Sequence, residues 1–422
     1  MIQSFLQSHA LRAEDINFHA LVGSLLKEME NGLAGTPSSL PMIPTYIGAE
    51  NEFQREKSVL AIDAGGTNFR AALLTFDKKG QVHVEGLSKF LMPGIQGEIS
   101  AKKFFETMAG YVRPLAEKCD RIGFCFSYPT EILPNKDGRL LQFTKEVQAP
   151  EVIGRMIGEG LLEALGTPDK KIVLLNDTVA TLLAGLSAHP DKTYDSFIGF
   201  ILGTGTNTCY VEANRNIAKN PGLDPEGNMI INMESGSFAL LPVTTFDRQF
   251  DATTVNPGSY LNEKMLAGGY FGGLCLTVLK GAAAEGLFSA VAEAKVTALP
   301  SLTSEEASLF SQSGEGPLKQ VFTEGKDVEG ARRIVDCLID RASCLAAATI
   351  AAPVLKTGKG KDAAAPILIT IEGSTFYKLN GMKARFEHHL STYLSGERKR
   401  YLAYAAVENS SLLGAAMAGL VE

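Results

Sequence analysis

The chain has 422 residues, 45% of them hydrophobic and 21% charged, with a formal net charge of −7. One hydrophobic core stops growing near ~250–300 residues, so two domains are expected, and this balance excludes disorder as the main state. The acidic excess argues against a nucleic-acid partner, which needs a basic surface, though a local basic patch is compatible with it.

Residues 1 to about 34 carry apolar side chains at helical spacing, through Phe18, Leu21, Leu25, Leu26 and Met29, and predict a helix. They hold no charged segment followed by an apolar run, so no signal peptide is expected. Residues 32–44 are rich in Pro, Gly and Ser and read as a loop. The run 59–62 predicts a buried strand ending in the turn Gly65-Gly66. Strands are expected at 71–76 and 81–87, an amphipathic helix at 102–118, and strands at 121–127 and 172–175. A helix begins by Val179. The strand 197–202 ends in Gly203-Thr204-Gly205, and a strand resumes at 209–212. From 300 to 400 the chain reads as helical, with one strand at 367–371 and a solvated loop at 356–365. The longest apolar run, 342–355, is closed by Pro353 and falls short of the ~20 residues of a membrane span, so it reads as a buried helix and no membrane partner is expected. The six cysteines, at 119, 125, 209, 275, 337 and 344, show no CxxC pair. They read as buried thiols in a reducing cytoplasm. Strand–turn–strand units alternating with helices indicate an α/β chain with mixed sheets. An apolar strand followed by a Gly-Thr turn occurs twice, which suggests one such turn per domain, both facing a common ligand.

Five constellations carry chemistry. In residues 61–70 a strand delivers Asp63 to its end. Gly65 and Gly66 let backbone N–H groups approach a phosphate, Thr67 and Asn68 add donors, and Arg70 adds a cation. Asp63 suits a Mg²⁺ shell, which takes one or two carboxylates plus water and phosphate oxygens. Asn176-Asp177 end another strand; Asp177 there can be a catalytic base, and taken alone it reads better as a helix N-cap. Gly203-Thr204-Gly205-Thr206-Asn207 is a second phosphate-cradling turn, and it lacks the glycine that a dinucleotide fingerprint needs at 208. Ser127 and Thr144-Lys145 place hydroxyls and an ammonium on loops after strands. Asn232 with Glu234, and Asn256 with Glu263, pair carboxylates with amides, as polyhydroxylated ligands require. No P-loop or protein-kinase motif is present, and no histidine falls in a motif.

Taken in order, these motifs resemble the hexokinase family over residues 28–417. The carriers are Glu-Met-Glu-Asn-Gly-Leu at 28–33, Met-Ile-Pro-Thr-Tyr at 42–46, and Ile-Asp-Ala-Gly-Gly-Thr-Asn-Phe-Arg at 62–70. Phe-Cys-Phe-Ser-Tyr-Pro at 124–129, Phe-Thr-Lys at 143–145, Leu-Asn-Asp-Thr-Val at 175–179 and Gly-Thr-Gly-Thr-Asn-Thr-Cys-Tyr at 203–210 follow. Asn-Met-Glu at 232–234, Asn-Pro-Gly with Glu-Lys-Met at 256–265, Glu-Gly-Ser at 372–374 and Gly-Ala-Ala at 414–416 complete the set. The resemblance implies a two-domain actin-like ATPase (ribonuclease H-like) fold with mixed sheets and an interdomain cleft. The small domain would be 58–176 plus 410–422, and the large domain 1–57 plus 177–409. It implies transfer of phosphate from Mg·ATP to the 6-hydroxyl of a hexose, glucose above all, as the first step of glycolysis. Ser127, Thr144, Lys145, Asn176, Asp177, Asn207, Glu234 and Glu263 would hold the sugar, with Asp177 as base and Lys145 assisting it. Asp63, Gly65, Gly66, Thr67, Asn68, Arg70, Gly203, Thr204, Gly205, Gly373 and Ser374 would hold Mg·ATP, Asp63 reaching the metal through water. The chain departs from the family at Phe143, Glu146, Ser235 and Glu372, positions of packing rather than direct sugar contact. An ATPase of the same fold without a sugar site is the rival reading, as is a sugar sensor without turnover; sugar-stimulated ADP production separates them. The preferred hexose, the oligomeric state and regulation stay open.

Overall fold

The computed structural model describes residues 1–49, 53–143, 147–188 and 192–421. In chain order its strands are β1 Ile43–Pro44, β2 Ser58–Gly65, β3 Asn68–Phe76, β4 Val82–Leu91, β5 Arg121–Phe126, β6 Thr130–Ile132, β7 Gly138–Leu140, β8 Lys171–Leu175, β9 Ser196–Leu202, β10 Thr206–Ala213, β11 Asn228–Asn232, β12 Ile367–Glu372 and β13 Leu402–Ala405. They form a five-stranded sheet in the order β4-β3-β2-β5-β8 and a six-stranded sheet in the order β1-β11-β10-β9-β12-β13; β6 and β7 make a separate hairpin.

The two sheets are built alike. In each, three consecutive strands pair antiparallel, β2 to β4 and β9 to β11. Two later strands then add in parallel on the other edge, β5 with β8 and β12 with β13. The glycine turn Gly65-Gly66 joins β2 to β3, and Gly203-Thr204-Gly205 joins β9 to β10. The two Gly-Thr turns read from the sequence therefore occupy matching places in two related sheets.

Two helices lie between the sheets. The helix Asp177–Ala188 packs on β9 and β12, the C-terminal helix Ser410–Leu420 packs on β2 and β5, and the two pack on each other. Their approach depends on missing side chains. A Cβ on Gly123 would stand 1.7 Å from the carbonyl oxygen of Ala415, and one on Gly414 would stand 2.0 Å from that of Ala180. Apolar residues of both sheets and both helices, among them Cys125, Val179, Cys209 and Leu412, make one buried cluster. A second lies under the five-stranded sheet, and the largest joins the six-stranded sheet to the helical layer.

Three expectations are corrected. The first 34 residues form two α-helices, Ile2–Ser8 and Phe18–Ala34, with a short 3-10 helix at Ala13–Asp15 between them. Ala10 adopts a left-handed φ of 52° between them, and Asn17 caps the second by accepting the Ala20 N–H at 3.0 Å. Pro353 does not close its helix: Gly325–Lys356 runs through it, with the Thr357 N–H bonding the Pro353 carbonyl at 3.0 Å. Near a helix end a proline removes one bond and leaves the later ones intact. By length and composition that helix passes as a membrane span, yet 89% of its most apolar stretch is buried in the protein. The sequence reading does not mark strands β1, β6, β7, β11 and β13, the first of them in the expected loop 32–44; each is at most five residues long, too short for period alone to reveal.

Candidate active site

Asp63, two residues before the end of β2, stands opposite Arg70 of β3, and register brings the pair together. Arg70 donates to the Asp63 carboxylate through Nε at 2.9 Å and Nη2 at 2.5 Å. Ser411 Oγ donates to the same carboxylate at 3.1 Å, and Arg70 also reaches Asn409 Oδ1 at 3.1 Å and Ser411 Oγ at 2.9 Å. Arg70, expected as a phosphate cation, here neutralises Asp63 and clasps the head of the C-terminal helix. Gly66 needs its φ of 61°, and the Tyr128 hydroxyl pins its carbonyl at 2.7 Å. Ser127 sits directly under this turn, since a Cβ on Gly65 would lie 3.1 Å from its Oγ. Thr67 is exposed at the tip, and Asn68 Nδ2 donates to Thr67 Oγ1 at 3.3 Å.

Two strands away, β8 delivers Asn176 and Asp177. Asn176 Oδ1 accepts the Thr178 N–H at 2.9 Å and so caps the helix Asp177–Ala188. Asp177 is the first residue of that helix and accepts from the same N–H at 2.8 Å. The capping role is thus shared between Asp177 and its neighbour. Between β2 and β8 lies Cys125, a buried thiol whose pKa is driven up by burial and then by the charges of Asp63 and Asp177. Both carboxylates therefore stand close to one sulfur.

Asn207, opening β10, is the hub of the sugar-side residues. Its Nδ2 donates to Asn232 Oδ1 at 2.8 Å, Glu234 Oε1 at 3.3 Å and Asn176 Oδ1 at 3.4 Å, while its Oδ1 accepts the N–H groups of Thr208 and Ser235 at 2.7 and 3.2 Å. Asn232 Nδ2 donates to Glu234 Oε1 at 2.7 Å. Glu263 Oε2 accepts the Thr206 N–H at 2.9 Å. Burial raises the pKa of Glu234; the amide of Asn232 opposes the rise and the charges of Asp177 and Glu263 add to it. Three carboxylates thus converge on one place. Glu234 and Tyr260 both hold left-handed φ values, 55° and 53°, a strain that non-glycine residues keep only where surroundings over-determine it. The Tyr260 phenol, perturbed by burial and then by Glu234 and Glu263, stands with them. The sequence marks Asn232 only as a companion of Glu234 and does not mark Tyr260, which comes three residues before Glu263, one helical turn, as a lone tyrosine in that motif.

At the second turn the Gly203 N–H bonds the Gly205 carbonyl at 2.9 Å, and Thr375 Oγ1 donates to the Gly203 carbonyl at 2.8 Å. Gly373 has φ 119°, and a Cβ there would lie 2.2 Å from the Leu202 carbonyl oxygen. Beside this turn opens a cavity of about 490 Å³, lined among others by Thr204, Gly268, Gly269, Ser304, Ser374 and Thr375. Its size suits a small cofactor. The glycine pair 268–269 was the available sign of it. Glu372, beside Gly373, accepts from Thr181 Oγ1 at 3.1 Å and from Ser410 Oγ. Thr144, Lys145 and Glu146 lie outside the described residues; Phe143 before them packs on the rings of Phe104 and Tyr128 at 5.8 and 5.2 Å.

Hexokinase family models match residues 1–186 and 197–421. The chain belongs to the hexokinase family. Hexokinase-2 of Oryza sativa subsp. japonica is 34% identical over 363 residues, covering 79% of this chain and 73% of the relative. Hexokinase-5 of the same plant is 28% identical over 97% of this chain and 87% of its own. A crystal structure of a hexokinase shares 26% identity and superposes with a TM-score of 0.80 over 99% of this chain and 98% of that one. A Schistosoma mansoni hexokinase complexed with glucose shares the fold at a TM-score of 0.79 and 22% identity, over 100% and 99%. This hexokinase has the two-domain actin-like ATPase fold and is an ATP-dependent hexose kinase of glycolysis, working with Mg²⁺. Among the described residues no group of three or more His, Cys, Asp or Glu side chains could hold a metal on its own. A lone carboxylate beside a glycine phosphate turn fits an ion held mainly by phosphate oxygens and water, so Asp63 suits Mg²⁺.

Proposed function

We propose that the enzyme phosphorylates the 6-hydroxyl of glucose, with Asp177 as the base that takes its proton. The observation that carries this reading is the convergence of Asp177, Glu234 and Glu263 around Asn207, while Asp63 and Asp177 flank one buried thiol. Ser127, Asn176, Asn207, Glu234 and Glu263 would hold the sugar hydroxyls, joined by Thr144 and Lys145; Gly65, Gly66, Thr67, Gly203, Thr204, Gly205, Gly373 and Ser374 would cradle the nucleotide. Asp63 would hold the shell of Mg²⁺, which neutralises phosphate charge when bound.

Phosphoryl transfer asks the protein chiefly for positioning and charge neutralisation. The Asn207–Asn232–Glu234 network fixes acceptors before the sugar arrives, so little ordering remains to be done on binding. Asp177 orients the hydroxyl and accepts its proton late, which an ordinary carboxylate can do. Water is the competing nucleophile, and closing the small domain (58–176 plus 410–422) on the large one (1–57 plus 177–409) would exclude it. Six free cysteines suit a reducing compartment, and the cytoplasm is the proposed location.

A coupled ADP-release assay across glucose, mannose, fructose, glucosamine and N-acetylglucosamine tests the reading. Glucose is expected to give the highest kcat/KM. ADP release that no sugar stimulates would favour an ATPase without a sugar site, and strong preference for another hexose would overturn the glucose assignment.

A further inference from the structure

Of the residues assigned above, Asp63, Ser127, Asn176 and Asp177 stand near or just beyond the C-terminal ends of β2, β5 and β8. At the opposite ends of β5 and β8 lies a groove of about 710 Å³ that the reaction does not use. Arg121 begins β5 and Lys171 begins β8. Lys136 joins them from the β6–β7 turn, held at a left-handed φ of 64°. Its N–H bonds the Leu133 carbonyl at 2.8 Å and its carbonyl accepts the Leu174 N–H at 2.8 Å.

Neighbouring charges are committed elsewhere. Asp137 accepts the N–H groups of Gly138, Gly158 and Glu159 at 2.6, 2.7 and 2.9 Å. Arg139 faces Glu131 at 3.8 Å, and Lys170 faces Asp120 at 3.9 Å and the Cys119 carbonyl at 2.5 Å. Arg121 donates one N–H to the Val421 carbonyl at 3.2 Å. Glu159 and Glu163 sit on exposed parts of the wall. Among the described residues neither Lys136 nor Lys171 has an ion pair. The Lys136 ammonium is pushed below its ordinary pKa by burial and then by the positive charges of Arg121 and Lys171. In a protein of net charge −7, three cations from three separate elements therefore line one groove, and among the described residues none of them has an ion pair; the groove's uncommitted carboxylates, Glu159 and Glu163, lie at its exposed edge.

We propose that this groove is a second anion site, taking a compact phosphate-bearing molecule whose oxygens lie among Arg121, Lys136 and Lys171. A phosphoryl group offers several acceptor oxygens to donors converging from different directions, which a single carboxylate does less well. The site is distinct from the nucleotide cradle, which lies at the other ends of the strands.

The test is thermal unfolding of the whole enzyme titrated with inorganic pyrophosphate, with sodium chloride of matched ionic strength as control. Wild type is expected to gain stability with pyrophosphate beyond the salt control. Lys136→Met should unfold at a higher temperature than wild type without ligand, because a like-charge repulsion is removed, and should lose most of the pyrophosphate response. Lys171→Ala, at an exposed position, should weaken that response several-fold, and both variants should keep wild-type kcat and hexose KM. Asp63→Ala, altered in the nucleotide cradle, should retain the response. Equal responses in wild type, Lys136→Met and Lys171→Ala would overturn the proposal, as would a salt control that reproduces the whole effect or a response lost only in Asp63→Ala.

Discussion

In the proposed role of Asp177 as base, capping does not rest on that carboxylate alone, because Asn176 accepts the same Thr178 N–H. Asp177→Asn keeps most ground-state hydrogen bonds and removes the proton acceptor. It should lower kcat by ~10²–10⁴-fold while calorimetry finds sugar affinity nearly unchanged. A variant retaining more than about a tenth of wild-type kcat, an effect under ~1.4 kcal/mol, would remove Asp177 from the role. Asp63→Ala should raise the Mg²⁺ requirement and depress kcat with little effect on metal-free sugar binding; an equal loss of sugar affinity would place Asp63 in the sugar site. Glu234 gives a pH signature. Its pKa is raised in the folded protein, so ionising it costs the fold more than the unfolded chain, and stability falls as pH rises from 4.5 through the raised value. Sugar hydroxyls donate to the ionised form and favour it. Hexose affinity should therefore rise with pH across that window, and binding should release protons, seen as a dependence of the binding enthalpy on buffer. A pH-independent affinity between 4.5 and 7, or proton uptake, would contradict this assignment. These side chains differ in how openly the sequence shows them. Asp63 is legible because an apolar strand and a glycine turn are adjacent in sequence. The partners of Arg70 are not, since Asn409 is 339 residues away and only the fold brings it near.

At the scale of elements, long strands and amphipathic helices were legible because their period repeats over several residues, whereas β11 and β13 draw their order from neighbours already in place. The likeness of the two sheets was visible only as a repeated turn; strand order is a tertiary property. The C-terminal helix shows how little sequence can mark a decisive contact. Its small residues, Gly414, Ala415, Ala416, Ala418 and Gly419, let it lie against β5 and against the helix Asp177–Ala188. Gly414→Ala would put a Cβ 2.0 Å from the Ala180 carbonyl oxygen, where backbone must move. Overpacking of this kind costs typically ~1–3 kcal/mol, and a lower urea midpoint at unchanged slope should report it. An unchanged midpoint would mean the two helices can part without loss. Because this contact joins the segments that begin at 177 and 410, the same variant should also alter kcat.

For the whole molecule, two crossings of the chain join the proposed small and large domains, the first between Asn176 and Asp177 and the second between Asn409 and Ser410. At the second, adjacent residues are tied to opposite sheets: Ser410 donates to Glu372 at the end of β12, and Ser411 donates to Asp63 near the end of β2. Asn409 just before them is left-handed, with φ 53°, and is held by Arg70. At the first crossing Asn176, just after β8, accepts from Asn207 of β10 across 3.4 Å, a long bond that a small rotation would shorten or break. Rotation between the sheets therefore needs changes at few backbone positions, as hinged closure does. The proposed sugar ligands lie on both sides, Ser127 before the first crossing and Asn207, Glu234 and Glu263 after it. A ligand contacting both halves binds the closed arrangement more tightly, and that difference shifts the population. Glucose alone, without nucleotide, should thus compact the enzyme, which small-angle scattering reads as a smaller radius of gyration. An unchanged radius at saturating glucose, with binding verified by calorimetry, would mean a preformed site, and water would then have to be kept from the phosphoryl group by means other than closure.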